Sequence, residues 1–418
     1  MATTATGFHD IPHTRQLIHP GWRVTLAGTA VNLALGILYS WSIIAGFLKQ
    51  QGWTAMQTQI PYMVACGVFA LLMVPGGRMQ DKVGPRVLVT VAGVLAGVGM
   101  MAASWMMTVL GLSICFGVLF GAAMGLGYSS TTPPAMKWFA PGKRGLITGI
   151  VVAGFGLASV YAAPLTNHLV KTHGIESTFL FLGAGFLIAI VVLAQFIANP
   201  PAGYVPEESG KGVAKKRRTE GDMEWKQMMR DGRFYALWGM FCVGSLSGLM
   251  VIGQLKTIAA EQSGIKLGFI LVAVLAVFNA GGRITGGMLF DRLGQQKTLL
   301  LIFGLQTLNF LFFRAYVSPV TILLGTVLAG SCYGACLSVF PATTATLFGV
   351  KNLGVNYGLV FTAWGAGGVF GGLIGGMVRD MTGSFSMAYV AAAALSLVAV
   401  GLTFVLRPRA EELAAEAA

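Results

Sequence analysis

Charge is what this sequence has least of. Of 418 residues only 10% are Asp, Glu, Lys or Arg, and only 15 are acidic. A soluble domain carries about 25% charged residues, so the composition does not fit one. Cysteine is scarce too. Cys66, Cys115, Cys242, Cys332 and Cys336 all fall in apolar runs, where they serve as small apolar residues and give no disulfide framework. The apolar runs contain no HExxH, no GxSxG and no clustered histidines, the usual equipment of an intramembrane hydrolase. "GAGGVFGG" approaches GxGxxG, but it lies inside an apolar run rather than after a soluble strand. No signal peptide is expected either: "MATTATGFHDIPHTRQLIHP" is polar and proline-broken, without an apolar core or a small-residue cleavage site. Its His9, His13 and His19 lack the cysteine or tight helical spacing of a metal site, and they read as part of a disordered tail. No metal and no cofactor are expected.

What is present is hydrophobic residue, 55% of the chain, with a mean hydropathy of +0.73. Apolar windows cover 22–48, 59–79, 86–108, 110–136, 145–168 and 176–198, then 235–256, 266–290, 298–317, 319–347, 353–378 and 385–406. Each is long enough to cross a hydrocarbon core of about 30 Å as a helix. The expected fold is therefore an all-α integral membrane protein of twelve transmembrane helices. An N-terminal tail (1–21) precedes six spans (22–198), a polar linker (199–234) separates them from six more (235–406), and a short tail (407–418) follows.

Basic residues orient the spans. With both termini inside, six of the 28 Lys and Arg fall in outer loops (Lys49, Lys171, Lys256, Lys266, Arg314 and Arg379), and Arg283 falls within a span. The rest lie on the inner side, as the positive-inside rule requires. The net charge of +13 thus reflects topology and implies no nucleic-acid partner. "KKRR" at 215–218 reads as part of an inner loop obeying that rule.

The chain repeats itself. A shift of 209 residues takes Gly121, Gly125, Phe139, Gly145, Gly149 and Gly156 onto Gly330, Gly334, Phe348, Gly354, Gly358 and Gly365. A shift of 210 takes "GRMQDKVG" (77–84) onto "GMLFDRLG" (287–294). Six spans are duplicated in parallel, the pattern of a two-bundle transporter with a central site. Several matched glycines are spaced GxxxG, which lets helix backbones approach closely in lipid.

These motifs carry a family resemblance. Gly77-x-x-x-Asp81-Lys82-Val83-Gly84-Pro85-Arg86 resembles the signature loop of the major facilitator superfamily, and Gly287-x-x-x-Asp291-Arg292-Leu293-Gly294 is its second copy. "GILYSWS" and "MKWFAPGKRGLITGI" look like its oxalate:formate antiporter and monocarboxylate transporter branch. The resemblance implies a gating latch at the inner helix ends involving Asp81, Arg86, Asp291 and Arg292. Lys137 and Arg144, at the same ends, are assigned to topology and gating.

Arg283, in "VFNAGGRITGG", is the exception to the rule that charge stays out of the spans. It lies eight residues before Asp291, about 12 Å along a helix, hence near the midplane. An arginine at that depth costs at least about 2.5–3.5 kcal/mol and cannot shed its proton. Span interiors hold no Asp or Glu to pair with it, and the matching first-half position is Met73 or Val74. The remaining counter-ion is the cargo: a guanidinium fork matches a carboxylate in two hydrogen bonds. The competing reading is an arginine snorkelling to the inner edge or bonding backbone carbonyls.

The resemblance supports the anion site, since a span-8 arginine holds the substrate carboxylate in this branch. Asn279, one turn before Arg283, stands where many animal monocarboxylate transporters have an aspartate implicated in proton coupling. Trp364 stands where oxalate exchangers carry a lysine. One cation and an aromatic suit a single carboxylate on a small apolar body, such as lactate or pyruvate; a dianion leaves one charge buried and unpaired. Tyr128 and Tyr333 are candidate hydroxyl partners or packing rings, and Tyr39, Phe361 and Leu35 are candidate cavity lining. The expectation is a monomeric secondary carrier of a small monocarboxylate in the bacterial inner (plasma) membrane. It works by alternating access, with a proton as coupling ion or another anion in exchange. Within transport the runner-up is an oxalate:formate-type organic anion exchanger, and a non-transporting sensor on the same fold is the rival outside transport.

Overall fold

The computed structural model describes residues 19–206, 222–264, 268–382 and 384–406. His9, His13, the 215–218 basic run, Lys266 and the tails at 1–18 and 407–418 lie outside the described residues, as do the side chains of Tyr39, Lys256 and Arg379. Among the described residues the regular structure is entirely helical.

Helix α1 runs Pro20–Gln50, through a 3-10 segment at Gly36–Ser40. Then come α2 (Ala55–Val83), α3 (Pro85–Ala103) and α4 (Val109–Lys137). The element Arg144–Ala194 is broken at Gly174, whose φ of 82° and ψ of 167° are not helical; its arms are α5 (144–173) and α6 (175–194). After a single helical turn at Trp225–Met228 follow α7 (Gly232–Ser263), α8 (Gly268–Leu293), α9 (Gln295–Phe313), α10 (Pro319–Phe348), α11 (Leu353–Thr382) and α12 (Ser386–Leu402).

Ten elements among the described residues are long and apolar enough to cross a membrane. The difference from the expected twelve has two sources. The stretch Pro141–Ala194 counts once although Gly174 breaks it, and α11 is not among the ten although it is 30 residues long. Large apolar side chains such as Leu71, Leu308 and Leu311 point outward, which suits a surface bathed in hydrocarbon.

Packing follows the repeat. In the first half α1 lies along α5, with Gly36 and Gly154 clearing the way for the Phe155 and Thr29 backbones, and α3 lies along α6 through Gly93 and Gly97. In the second half α8 packs on α10, α7 on α11 and α9 on α12. Among the described residues the most extensive contacts between the halves are two crossings, α5 with α8 and α2 with α11. A side chain at Gly145 would collide with the Gly287 carbonyl and one at Gly354 with the Gly77 carbonyl; one at Gly149 would strike the Arg283 carbonyl and one at Gly358 the Met73 carbonyl. The two crossings are thus the same contact made twice, and they match Arg283 to Met73.

The signature loops turn tightly in both halves. Gly84 and Gly294 have φ of 94° and 81°, backbone that L side chains rarely adopt, so each motif ends in glycine for a steric reason.

Candidate functional site

Arg283 is fully buried on α8, at the crossing with α5. Its Nε donates to Asn279 Oδ1 at 3.1 Å, as a pair one turn apart on a helix can. Its Nη1 donates across the boundary between the halves to the Val152 carbonyl of α5. Its Nη2 is buried without a hydrogen-bond partner among the described residues. The arginine therefore does not snorkel, but it does bond a backbone carbonyl, as the competing reading allowed. Asn279 holds the guanidinium from one turn away, and neither partner is an anion.

Gly156, one turn beyond Val152, makes room for the cation. A Cβ there would lie 3.1 Å from Arg283 Nε and 3.2 Å from Cζ, inside the usual 3.5–4.0 Å contact range. Leaving a buried donor unmade costs about 1–3 kcal/mol, more when the group is charged. The guanidinium is held at two nitrogens and presents the third.

The structure also gathers rings from both halves into one buried cluster. Phe361 of α11 lies 5.1 Å from Trp364 in a stacked pair, 5.2 Å from Phe69 of α2, 5.5 Å from Tyr128 of α4 and 5.7 Å from Tyr357, centroid to centroid. Phe155 of α5 sits 5.7 Å from Phe69 and 5.6 Å from Tyr128. Tyr357 belongs to the same cluster and is fully buried on α11. Trp364 Nε1 donates to Tyr333 Oη at 2.9 Å, joining α11 to α10.

Of the residues expected from sequence, Arg283 and Asn279 form one group, Tyr333 and Trp364 a second, and Tyr128, Phe361 and Trp364 belong to the ring cluster. Leu35 is buried against Gly127 of α4, one residue from Tyr128. The side chain of Tyr39 lies outside the described residues. Val152, Gly156, Phe69, Phe155 and Tyr357 were not anticipated. Gly156 carried the one usable signal, its match to Gly365 in the repeat.

The four residues that the resemblance assigned to gating lie at the face carrying the linker. Asp291 accepts from Gly145 N at 2.8 Å and Leu146 N at 2.7 Å. Asp81 accepts from Val355 N at 3.2 Å and lies 3.7 Å from Lys137 Nζ. Each carboxylate of one half thus caps the N-terminus of a helix in the other, where free N–H groups and the helix dipole favour a negative charge. Arg86 and Arg292 are exposed.

A parallel duplication, glycine-cleared crossings and exchanged aspartate caps describe one architecture. The sequence profile of the Major Facilitator Superfamily matches residues 24–313. The chain belongs to that superfamily. Within it, the chain is 27% identical over 393 residues to the oxalate:formate antiporter of Oxalobacter formigenes, covering 92% of this chain and 91% of that one. It is 24% identical over 400 residues to monocarboxylate transporter 13 of Rattus norvegicus, covering 92% and 89%. The superfamily fold is also seen in the crystal structure of the human organic anion transporter MFSD10. That chain superposes with a TM-score of 0.69 at 15% identity, covering 92% of this chain and 99% of that one, a likeness of fold alone. The protein is accordingly a multi-pass membrane transporter of this superfamily.

Proposed function

We propose that this transporter carries a small monocarboxylate of the lactate or pyruvate class, bound at Arg283 between two six-helix bundles (22–198 and 235–406). The twelve spans leave both tails and the linker in the cytoplasm, and the bundles rock to expose the site alternately. The plasma membrane, bacterial inner membrane by type, is its place.

One observation carries this reading: Arg283 Nη2 is a buried, charged donor without a hydrogen-bond partner among the described residues. A carboxylate accepts from it and, by displacing the Val152 carbonyl, from Nη1 as well, completing the end-on fork. Nε stays with Asn279. The ring cluster supplies apolar wall for a small body, and Trp364 spends its N–H on Tyr333, so α11 offers no second cation at that position. A dianion keeps one charge uncompensated there. The names of the two relatives, an oxalate:formate antiporter and a monocarboxylate transporter, agree with a small carboxylate.

The proposed coupling is to a proton travelling with the substrate, because the residues that hydrogen-bond Arg283, Asn279 and Val152, do not titrate. The same fact favours a second reading. No carboxylate among its hydrogen-bond partners neutralises the cation in the empty carrier, and that favours anion exchange, in which the site reorients only when loaded. A competition panel in liposomes separates the substrate classes. Lactate and pyruvate are expected to inhibit uptake of labelled lactate, with oxalate much weaker. Stronger inhibition by oxalate than by any monocarboxylate would overturn the monocarboxylate assignment. Acceleration by internal anion, without response to a proton gradient, would establish exchange.

A further inference from the structure

The first half carries a recess that the carboxylate site does not use. It lies between α1, α5 and α6, holds about 500 Å³, and its walls include Ala34, Tyr161, Leu165, Phe181, Gly185 and Phe186. Ala34 and Phe186 are buried at its floor, while Leu165 and Phe181 at its rim are 40% and 47% exposed. A Cβ at Gly185 would meet nothing within 4 Å, so the missing side chain leaves the space open. The Tyr161 hydroxyl donates to the Leu33 carbonyl at 3.0 Å and is spent there, which leaves that end apolar. From Tyr161 to Leu169, which also lines the recess, α5 advances about 12 Å. One leaflet of a hydrocarbon core of about 30 Å is little deeper.

The mouth of the recess is charged. It lies beside the break at Gly174, on the face opposite the linker, where Lys171 and His173 end α5 and Glu176 begins α6, all three exposed. The His173 ring meets Phe181 edge-on at 5.3 Å, so the histidine stands on the wall of the recess. Thr172 gives its hydroxyl proton to the His168 carbonyl at 2.8 Å and therefore accepts from His173 Nδ1 at 2.7 Å. The ring thus keeps Nε2 for a partner outside the chain.

We propose that this recess is a phospholipid site: one acyl chain of a phosphatidylethanolamine lies along Gly185, its phosphate meets Lys171 and His173, and its ammonium meets Glu176. An apolar trough one leaflet deep calls for a hydrocarbon chain, and a mouth carrying both signs calls for a headgroup with both. All three walls belong to the first half, so the lipid stays seated while the halves move. The site is separate from Arg283 and does not depend on what the transporter carries.

Photocrosslinking of the full chain in phosphatidylcholine nanodiscs tests this, with a diazirine in the tail of phosphatidylethanolamine, phosphatidylcholine or diacylglycerol. Labelling of residues 161–189 by the phosphatidylethanolamine probe is expected to exceed that by the other two about fivefold. Gly185→Leu fills open space and is expected to lower it by about fivefold or more, with labelling around the outward-facing Leu308 and Leu311 of the other half unchanged. Glu176→Gln, and Lys171→Gln combined with His173→Gln, are expected to remove the preference for phosphatidylethanolamine and leave diacylglycerol labelling as it was. Equal labelling by all three probes means surrounding lipid only and overturns the proposal. So does unchanged labelling in Gly185→Leu, or a recess closed to every probe in a preparation that runs as a dimer.

Discussion

Adding one methyl group at Gly156 puts the geometry of Arg283 to a sharp test. The new Cβ would lie 3.1 Å from Nε and 3.2 Å from Cζ, short of normal contact by roughly 0.4–0.8 Å. The guanidinium cannot retreat freely, since Nε is held by Asn279 and Nη1 by Val152. It tilts, and the fork no longer meets a carboxylate squarely. A hydrogen bond to a charged group is worth about 1.5–3 kcal/mol; losing about half of that at one of two bonds gives roughly 0.75–1.5 kcal/mol. That is about a 3.5- to 12-fold rise in KM. Stability is expected to move the other way or not at all, because alanine is favoured over glycine inside a helix by about 1 kcal/mol. Gly281→Ala on α8, where a Cβ meets nothing within 4 Å, is the control and leaves KM unchanged. The assay is uptake kinetics in liposomes beside thermal unfolding of the same preparations. A normal KM in Gly156→Ala, with wild-type unfolding, would refute the placement of the cation against α5.

Three further variants address the remaining parts. Asn279→Asp sets a carboxylate against Arg283 Nε and neutralises it internally; affinity at pH 7 is expected to fall at least tenfold and to recover as pH drops and the new group protonates. Trp364→Lys supplies a second cation, and oxalate inhibition of lactate uptake is expected to strengthen by about tenfold or more, one charge-assisted bond of roughly 1.5–3 kcal/mol; unchanged oxalate inhibition contradicts the one-cation argument. Asp291→Asn weakens bonds of 2.8 and 2.7 Å to α5, whereas the bond that Asp81 accepts from Val355 of α11 is longer, 3.2 Å, so exchange at Gly145 in the first variant is expected to rise more than exchange at Val355 in Asp81→Asn. The reverse order would contradict the capping geometry.

Much of the fold was legible because duplication marks its own contacts. The 209- and 210-residue shifts picked out glycines that prove to be the crossing points of α5 with α8 and α2 with α11, and aspartates that prove to cap helices of the opposite half. The apolar windows at 145–168 and 176–198 fall on α5 and α6, but hydropathy did not mark the break itself, the single residue Gly174 of positive φ. The cation itself stood out because no other charge shares its surroundings. Its partners did not. Val152 contributes a backbone carbonyl, which any residue type would supply, and Gly156 contributes the lack of a side chain. Phe69, Phe155 and Tyr357 look like ordinary span residues until the halves are brought together.

The central claim is that a substrate carboxylate completes the partnerless nitrogen of Arg283. The most direct measurement is uptake of labelled L-lactate into liposomes holding the purified protein, with and without an inward proton gradient, for wild type and Arg283→Gln. We expect gradient-driven accumulation by the wild type, and loss of at least about tenfold in Arg283→Gln, the variant still folding and inserting normally. Normal lactate transport by Arg283→Gln would contradict the claim outright.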